Sequence, residues 1–327
     1  MPAARMSFRL VFTCDQCCAD RKVASPIFQR DFRRMQRFFH STPRLWATFD
    51  KSLLGKLRKK TGYTFSNCKK ALETCGNDME KAEKWLHEQA KALGWAKATK
   101  LEGRATAQGL IGIASQPGKC VTMVEVNCET DFVARNKTFR SLVEQVTSAC
   151  LQHAKSLPQA SVPISKLLLT SEEMKVLPCK QDGGPLIDHV ALAIGNVGEN
   201  LSLRRCAILT TTEPLIQLTG YTHPAEEQPG HIICGKYGAM VAFKGKGDQH
   251  RLQLLGRQLC QHVVGMCPKS IGDPETDSPN PDSDSESVLI FQEFLLDSDL
   301  TVGNILQDNE ATVLDYIRFE TGETIES

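Results

Sequence analysis

The run Val121-Thr122-Met123-Val124-Glu125-Val126 sets the tightest limit on how this chain can fold. Val121 and Met123 fall on one face of an extended strand, and Val124 and Val126 fall on the other. A strand that is apolar on both faces is buried on both, so it needs a layer of structure above it and another below. The pattern stops at Asn127-Cys128-Glu129-Thr130-Asp131, a polar turn, and Phe132 follows directly after an acid, ahead of the next helix. Two readings of Phe132 are open: it folds back onto its own core, or Asp131 and Phe132 form a wedge that a rigid strand presents to a partner.

The flanking sequence supplies candidate layers. Gly109-Leu110-Ile111-Gly112-Ile113 and a turn at Gln116-Pro117-Gly118 predict a hairpin with the key strand, and Phe139, Leu142, Val143, Val146 and Cys150 predict the helix after it. Upstream, Leu53, Leu54 and Leu57, then Phe65, Cys68, Leu72 and Cys75, then Met79, Ala82, Leu86, Ala90 and Leu93 mark three short helices, with Asn77 and Glu80 as a capping pair. Three helices in that span resemble a ubiquitin-associated bundle. Residues 94–108 are polar on every face and read as a linker, and residues 155–185, with four prolines, as a loose connection holding one short helix near Ser171 to Lys175. Ile187, Val190, Ala191 and Ile194 repeat at helical spacing, and Gly195 and Gly198 suit that helix's end. Leu201 to Leu209 reads as a strand.

An internal echo follows. Gly235-Lys236-Tyr237-Gly238-Ala239-Met240-Val241 matches Gly118-Lys119-Cys120-Val121-Thr122-Met123-Val124 at Gly, Lys, Met and Val, and each copy precedes an amphipathic helix. The class is therefore α+β: an N-terminal three-helix ubiquitin-associated-like bundle (46–93), a linker (94–108) and two related α/β subdomains with small antiparallel sheets (109–200 and 201–327). Residues 272–287, acidic among Pro and Ser, read as a flexible loop, and Leu295-Leu296, Ile305, Val313, Ile317 and Phe319 as a final helix and strand.

Glu125-Val126-Asn127-Cys128-Glu129-Thr130-Asp131-Phe132-Val133-Ala134-Arg135 resembles the signature of the elongation factor Ts family, in its mitochondrial form. Leu57-Arg58-Lys59-Lys60-Thr61-Gly62-Tyr63-Thr64-Phe65-Ser66-Asn67-Cys68-Lys69-Lys70-Ala71-Leu72 is similar to a second family signature, in the right order and spacing. The resemblance implies a guanine-nucleotide exchange factor that binds elongation factor Tu, GDP-bound and nucleotide-free, in the mitochondrial matrix and supports translation elongation. It carries contact roles onto Arg58, Phe65, Thr130, Asp131, Phe132, Val133, Val197, Gly198, Glu199, Asn200 and His223. Phe65 has a second reading as a bundle core residue, and His223 as a solvent-facing loop histidine. Pro224 stands where the family more often has Gly, and the coiled coil of bacterial relatives is missing near 272–287. The alternative function is a non-catalytic adaptor that recruits partners through the three helices.

Charge and motifs narrow the classes. Residues 1–41 carry eight basic side chains against three acids, so the rest of this +1 chain is net −4, unsuited to nucleic-acid binding. Residues 1–45 resemble a mitochondrial presequence, with Arg37-Phe38-Phe39-His40-Ser41 like a processing site. No run is long and apolar enough to predict a membrane span. There is no phosphate loop and no dinucleotide or hydrolase motif, so the chain is read as binding no nucleotide directly, holding no cofactor or metal and performing no covalent chemistry. The thirteen scattered cysteines read as reduced thiols packed as small apolar residues. Cys14-x-x-Cys17-Cys18 lacks a second pair for zinc, and the pairs Cys150/His153 and Cys260/His262 read as packing.

Overall fold

Strands β1 (Gln108–Gln116) and β2 (Cys120–Cys128) form the expected hairpin, with Gln116 opposite Cys120 and Lys119 N donating to Gln116 O at 3.1 Å. The computed structural model describes residues 51–61, 63–158, 162–225 and 231–324. The expected presequence, its processing site, Cys14, Cys17 and Cys18, and residues 46–50 of the helical module lie outside the described residues.

All nine residues of β2 are buried, because β2 sits inside two stacked layers. It is the middle strand of a five-stranded antiparallel sheet, in the order β3 (Ile164–Thr170), β4 (Leu201–Thr211), β2, β1, β6 (Ile232–Gly235). One face, with Cys120, Val124 and Val126, packs on helix α5 (Lys137–Ser156) through Phe139, Leu142, Val143 and Val146. Between β2 and α5 runs a single turn, α4 (Asp131–Ala134).

The other face of the sheet carries Ile111, Ile113, Val121, Met123, Ala207 and Leu209 into a cluster with Met240, Ala242, Ile317 and Phe319. Those last four belong to a three-stranded antiparallel sheet, ordered β10 (Ala311–Glu320), β7 (Tyr237–Gly245), β5 (Ile216–His223). The sheets thus stack face to face. Val241 and Phe243 of β7 point the other way, onto Leu252, Leu255 and Leu259 of α8 (Gln249–Met266). The internal echo follows this geometry: Met123 and Met240 share the inter-sheet layer, while Val124 and Val241 each face their own helix.

Glu125, 0% exposed, lies where β2 leaves that layer. Its carboxylate accepts from Arg204 Nη1 (2.9 Å), Arg205 Nε (2.6 Å) and Gly322 N (2.8 Å). Arg205 also pairs with Glu323 at 2.5 Å and lies over the Phe319 ring, and Arg204 donates to the Glu323 carbonyl. The turn after β10 is thereby tied to the first sheet.

Three N-terminal helices, α1 (Lys51–Thr61), α2 (Phe65–Thr74) and α3 (Met79–Leu101), close over Leu54, Leu57, Cys68, Ala71, Leu72, Ala82 and Leu86. Asp78, rather than Asn77, caps α3 by accepting from Glu80 N and Lys81 N; Asn77 takes φ +64° in the preceding turn. Leu93, expected in that core, is exposed.

Residues 94–101 are not a linker. They continue α3, and Gly94 is buried against α7 (Leu186–Val197), where a Cβ would stand 2.1 Å from Ala191 O. Trp95 Nε1 donates to Asp188 Oδ1 at 3.1 Å, Lys91 pairs with Asp188 at 2.5 Å, and Lys97 Nζ donates to Gly195 O at 2.7 Å. Its packed side runs through Gly94, Ala98 and Leu101, two of them small, so only a faint apolar stripe marks it.

Two more expectations change. The connection 155–185 contains strand β3 besides the short helix α6 (Ser171–Lys175); β3 is an edge strand with little burial, so its alternation is faint. Strand β4, expected to open the second subdomain, pairs with β2 and β3 in the first sheet, and β6 returns to β1. The acidic segment 272–287 is largely exposed and bonded within itself, Asp273 N to Asp277 Oδ2 at 2.8 Å and Asn280 N to Glu286 Oε2 at 2.7 Å. A strand β8 (Glu293–Phe294) paired with β9 (Asp297–Thr301), then helix α9 (Val302–Asp308), precede β10; Ile305 lies in α9 and Val313, Ile317 and Phe319 in β10, but Leu295 and Leu296, expected with them, are exposed in the turn between β8 and β9.

Gly94→Ala will lower the unfolding free energy by about 1–3 kcal/mol through overpacking against Ala191. Gly55→Ala, in α1 with nothing within 4 Å of its Cβ, will be neutral or stabilise by up to about 1 kcal/mol. Urea unfolding of both variants checks the pair.

Candidate partner surface

The polar turn after β2 is built by an exchange between two loops. Thr130 caps α4, with its hydroxyl oxygen 3.4 Å from Val133 N. The same residue donates twice to Glu199: N to Oε2 at 3.0 Å and Oγ1 to Oε1 at 2.6 Å. Glu199 lies just beyond the C-terminus of α7, where Gly198 takes φ +81°, a left-handed cap that glycine adopts without strain. In return, Asn200 N donates to Glu129 Oε1 at 2.7 Å, and Asn200 Nδ2 reaches Arg104 O at 3.0 Å. Arg104 Nη1 closes the circuit on Glu129 at 3.4 Å. Each loop therefore contributes a carboxylate that satisfies one backbone amide of the other, a charge-assisted arrangement stronger than neutral bonds.

Beneath this exchange the Cys128 thiol points at Thr130 O, 3.1 Å away. Burial, reinforced by the nearby Glu199 carboxylate, pushes its pKa up to about 12. The thiol stays protonated at physiological pH and donates to that carbonyl.

On this mount Val133 and Ala134 are buried, while Phe132 between Asp131 and Val133 is 82% exposed. The reading in which Phe132 folds onto its own core is overturned. Asp131 is half-buried and pairs with Arg135 at 3.1 Å. The capped turn fixes the backbone on both sides of Phe132, so its ring is held out by its neighbours rather than by contacts of its own.

The structure brings together Thr130, Asp131, Phe132 and Val133 with Val197, Gly198, Glu199 and Asn200. Val197 packs partly on the first core, and both oxygens of Glu199 are engaged by Thr130, so these residues face inward. Arg58 and Phe65 are not part of this cluster: they are exposed on α1 and at the first position of α2, and Phe65, 55% exposed, is no bundle core residue. His223 ends β5 in the other sheet, exposed, its Nδ1 3.2 Å from the Tyr221 hydroxyl. Glu129 and Arg104 were missed as site residues. Glu129 stood in the motif, but its partner is 71 positions away, and Arg104 looked like a solvated linker charge.

Comparison with known proteins bears on the same stretches. The family model for elongation factor Ts, mitochondrial, N-terminal, matches residues 36–96, and that for elongation factor TS matches residues 129–279. The Elongation factor Ts, mitochondrial, of Aedes aegypti is 50% identical over 299 residues, 90% of this chain and 96% of that protein. The chain belongs to the elongation factor Ts family. The Drosophila melanogaster protein of the same name is 46% identical across 89% of this chain and 95% of its own length, and the Homo sapiens one 44% across 87% of each.

The two thiol–imidazole pairs do not form nucleophile sites. Cys260 is buried with its thiol on Thr219 O at 3.5 Å, and burial raises its pKa. His262 is spent on structure: Nε2 meets Gln292 Oε1 at 3.0 Å, Nδ1 accepts from Leu295 N at 3.2 Å, and the ring stacks on Phe294. Cys150 is buried in the first core and His153 lies in the last turn of α5.

Glu199→Ala will leave Thr130 N and Oγ1 without their acceptor and destabilise the protein by about 1–3 kcal/mol. Faster amide exchange at Thr130, read by mass spectrometry, is the local signature. Burial lowers the His262 pKa, so the folded protein refuses a proton that the unfolded chain takes up below about 6.5. Stability is present above that value and falls as pH drops through it; melting temperatures from about pH 7.5 to 5.5 will fall more steeply in wild type than in His262→Gln.

Proposed function

We propose that this chain promotes release of GDP from elongation factor Tu in the mitochondrial matrix, with Phe132 as the wedge. It binds the GDP-bound and nucleotide-free partner, and the nucleotide itself is held by the partner. The observation that supports this reading is a phenylalanine 82% exposed on a turn that two reciprocal carboxylate–amide bonds tie to the Val197–Asn200 loop. An aromatic ring costs free energy in water, and a rigid mount removes the entropy of ordering it on contact.

In a GTPase the phosphates of GDP are neutralised by Mg²⁺ and by a cradle of backbone amides. A ring driven between partner helices beside that cradle, with Asp131 displacing groups that hold the metal, leaves the phosphate charge poorly compensated. Nucleotide and exchange factor then each weaken the other's binding by the same coupling free energy. Turning the partner from mostly occupied to mostly empty takes on the order of 5 kcal/mol. Several surfaces share it in this reading: Arg58 and Phe65 on the ubiquitin-associated-like helices, the Thr130–Val133 and Val197–Asn200 loops, and His223 on the second sheet.

Release of a fluorescent GDP analogue from mitochondrial elongation factor Tu tests the reading. Wild type will accelerate release, and Phe132→Ala at saturating concentration will be slower by about tenfold or more, roughly 1.4 kcal/mol in the barrier to release. Binding of both proteins without any change in release rate would instead favour an adaptor working through the three helices.

A further inference from the structure

We infer that Cys179, Asp182 and His189 form a binding site for one divalent transition-metal ion, of which zinc fits the donor set best. A sulfur, a carboxylate oxygen and an imidazole nitrogen are the three protein donors zinc accepts. Their ligand atoms all lie within 4.8 Å of one another. Zinc bonds of about 2.0–2.3 Å place neighbouring tetrahedral ligands about 3.5 Å apart, so the cluster needs only an ångström-scale contraction around the ion.

The three donors are brought together by the backbone. Residues 177–186 fold as a narrow hairpin: Cys179 N donates to Gly184 O at 2.8 Å, Gly183 N to Cys179 O at 2.9 Å, and Leu186 N to Leu177 O at 2.9 Å. Asp182 Oδ1 accepts from Gly184 N at 3.0 Å, which turns the carboxylate back over the hairpin. His189, in the first turns of α7, meets the same oxygen through Nε2 at 3.0 Å. Cys179 is buried and Asp182 is exposed, so the cluster has a dry side and a wet side. The wet side opens onto a cleft of about 790 Å³ that Asp182 and His189 line together with His87 of α3. A water molecule from that cleft completes the coordination.

Binding would convert the Cys179 thiol to thiolate, its proton leaving to solvent, while the His189–Asp182 hydrogen bond gives way to two metal bonds. The start of α7 has a use for such a fastening. Its cap position is Pro185, which makes no side-chain cap hydrogen bond. A metal holding His189 to the hairpin would pin that end of the helix, as Gly198 and Glu199 fix the other. The spacing Cys-x₂-Asp-x₆-His follows none of the paired-cysteine patterns by which zinc sites are usually recognised in a sequence.

The test uses the full reduced chain, stripped of metal by a chelator, with Cys14, Cys17 and Cys18 replaced by Ser. Zinc is titrated by calorimetry in two buffers of different protonation enthalpy, and cobalt(II) by absorption. The expected result is one ion per chain, net proton release, and a thiolate-to-cobalt charge-transfer band. Asp182→Asn and His189→Gln will weaken zinc by at least about tenfold, and Cys179→Ser will remove the band. Circular dichroism establishes that each variant is folded; should Cys179→Ser unfold, the two more exposed positions decide. Absence of saturable zinc uptake overturns the proposal, as does uptake that Asp182→Asn and His189→Gln leave unchanged, which would place the metal on other cysteines.

Discussion

The burial of β2 on both faces is the constraint on which the other elements depend. Side chains alternate along a strand, so Val121 and Met123 are committed to one layer and Val124 and Val126 to the other. A slip of one residue against β1 or β4 would exchange the two sets and spoil both layers together. That couples the register of the first sheet to the packing of the second, whose Met240 and Ala242 fill the shared layer from the opposite side. Helix α5 then has one place to dock, and the turn emerging from the end of β2 inherits a fixed origin.

The surface around Phe132 is stiff for a related reason. Glu129 and Glu199 each satisfy an amide on the other's loop, so neither loop can shift without breaking charge-assisted bonds in both. Helix α7 links this exchange to the rest of the molecule. Its apolar face joins the first core, its C-terminus supplies Gly198 and Glu199, and its remaining side receives α3 at Gly94. The helical region with Arg58 and Phe65 and the turn with Phe132 are therefore referenced to one helix, which allows two separated surfaces to be offered in constant relation.

Much of this was legible in the sequence. The doubly apolar run predicted a strand between two layers, the echo at Met240 located the second sheet's middle strand, and Gly198 marked the end of α7. What stayed hidden depends on distant partners. Residues 94–101 carry only a faint apolar stripe because two of its three members, Gly94 and Ala98, are small, and the other contacts, to Asp188 and Gly195, are polar. Strand β3 is half in solvent and reads as coil between prolines. The membership of β4 in the first sheet is set by pairing, which periodicity does not report. At the site the motif named Thr130 and Phe132, but the exchange with Glu199 and Asn200 joins residues about 70 positions apart, for which a single sequence holds no signal.

The shell around Glu125 bears on the order in which the molecule can assemble as it is made. Its carboxylate lies in the middle of β2, yet one donor is Gly322 N, and Arg205 is itself held by Glu323. A nascent chain that has produced β1, β2 and β4 can pair those strands and bring Arg204 and Arg205 onto the carboxylate, but the Gly322 amide and the Glu323 carboxylate are still missing and the inter-sheet layer is open. Closure waits for β10 and the turn after it, made 197 positions later than Glu125, so the inter-sheet layer completes as a late, concerted event relative to its central strand.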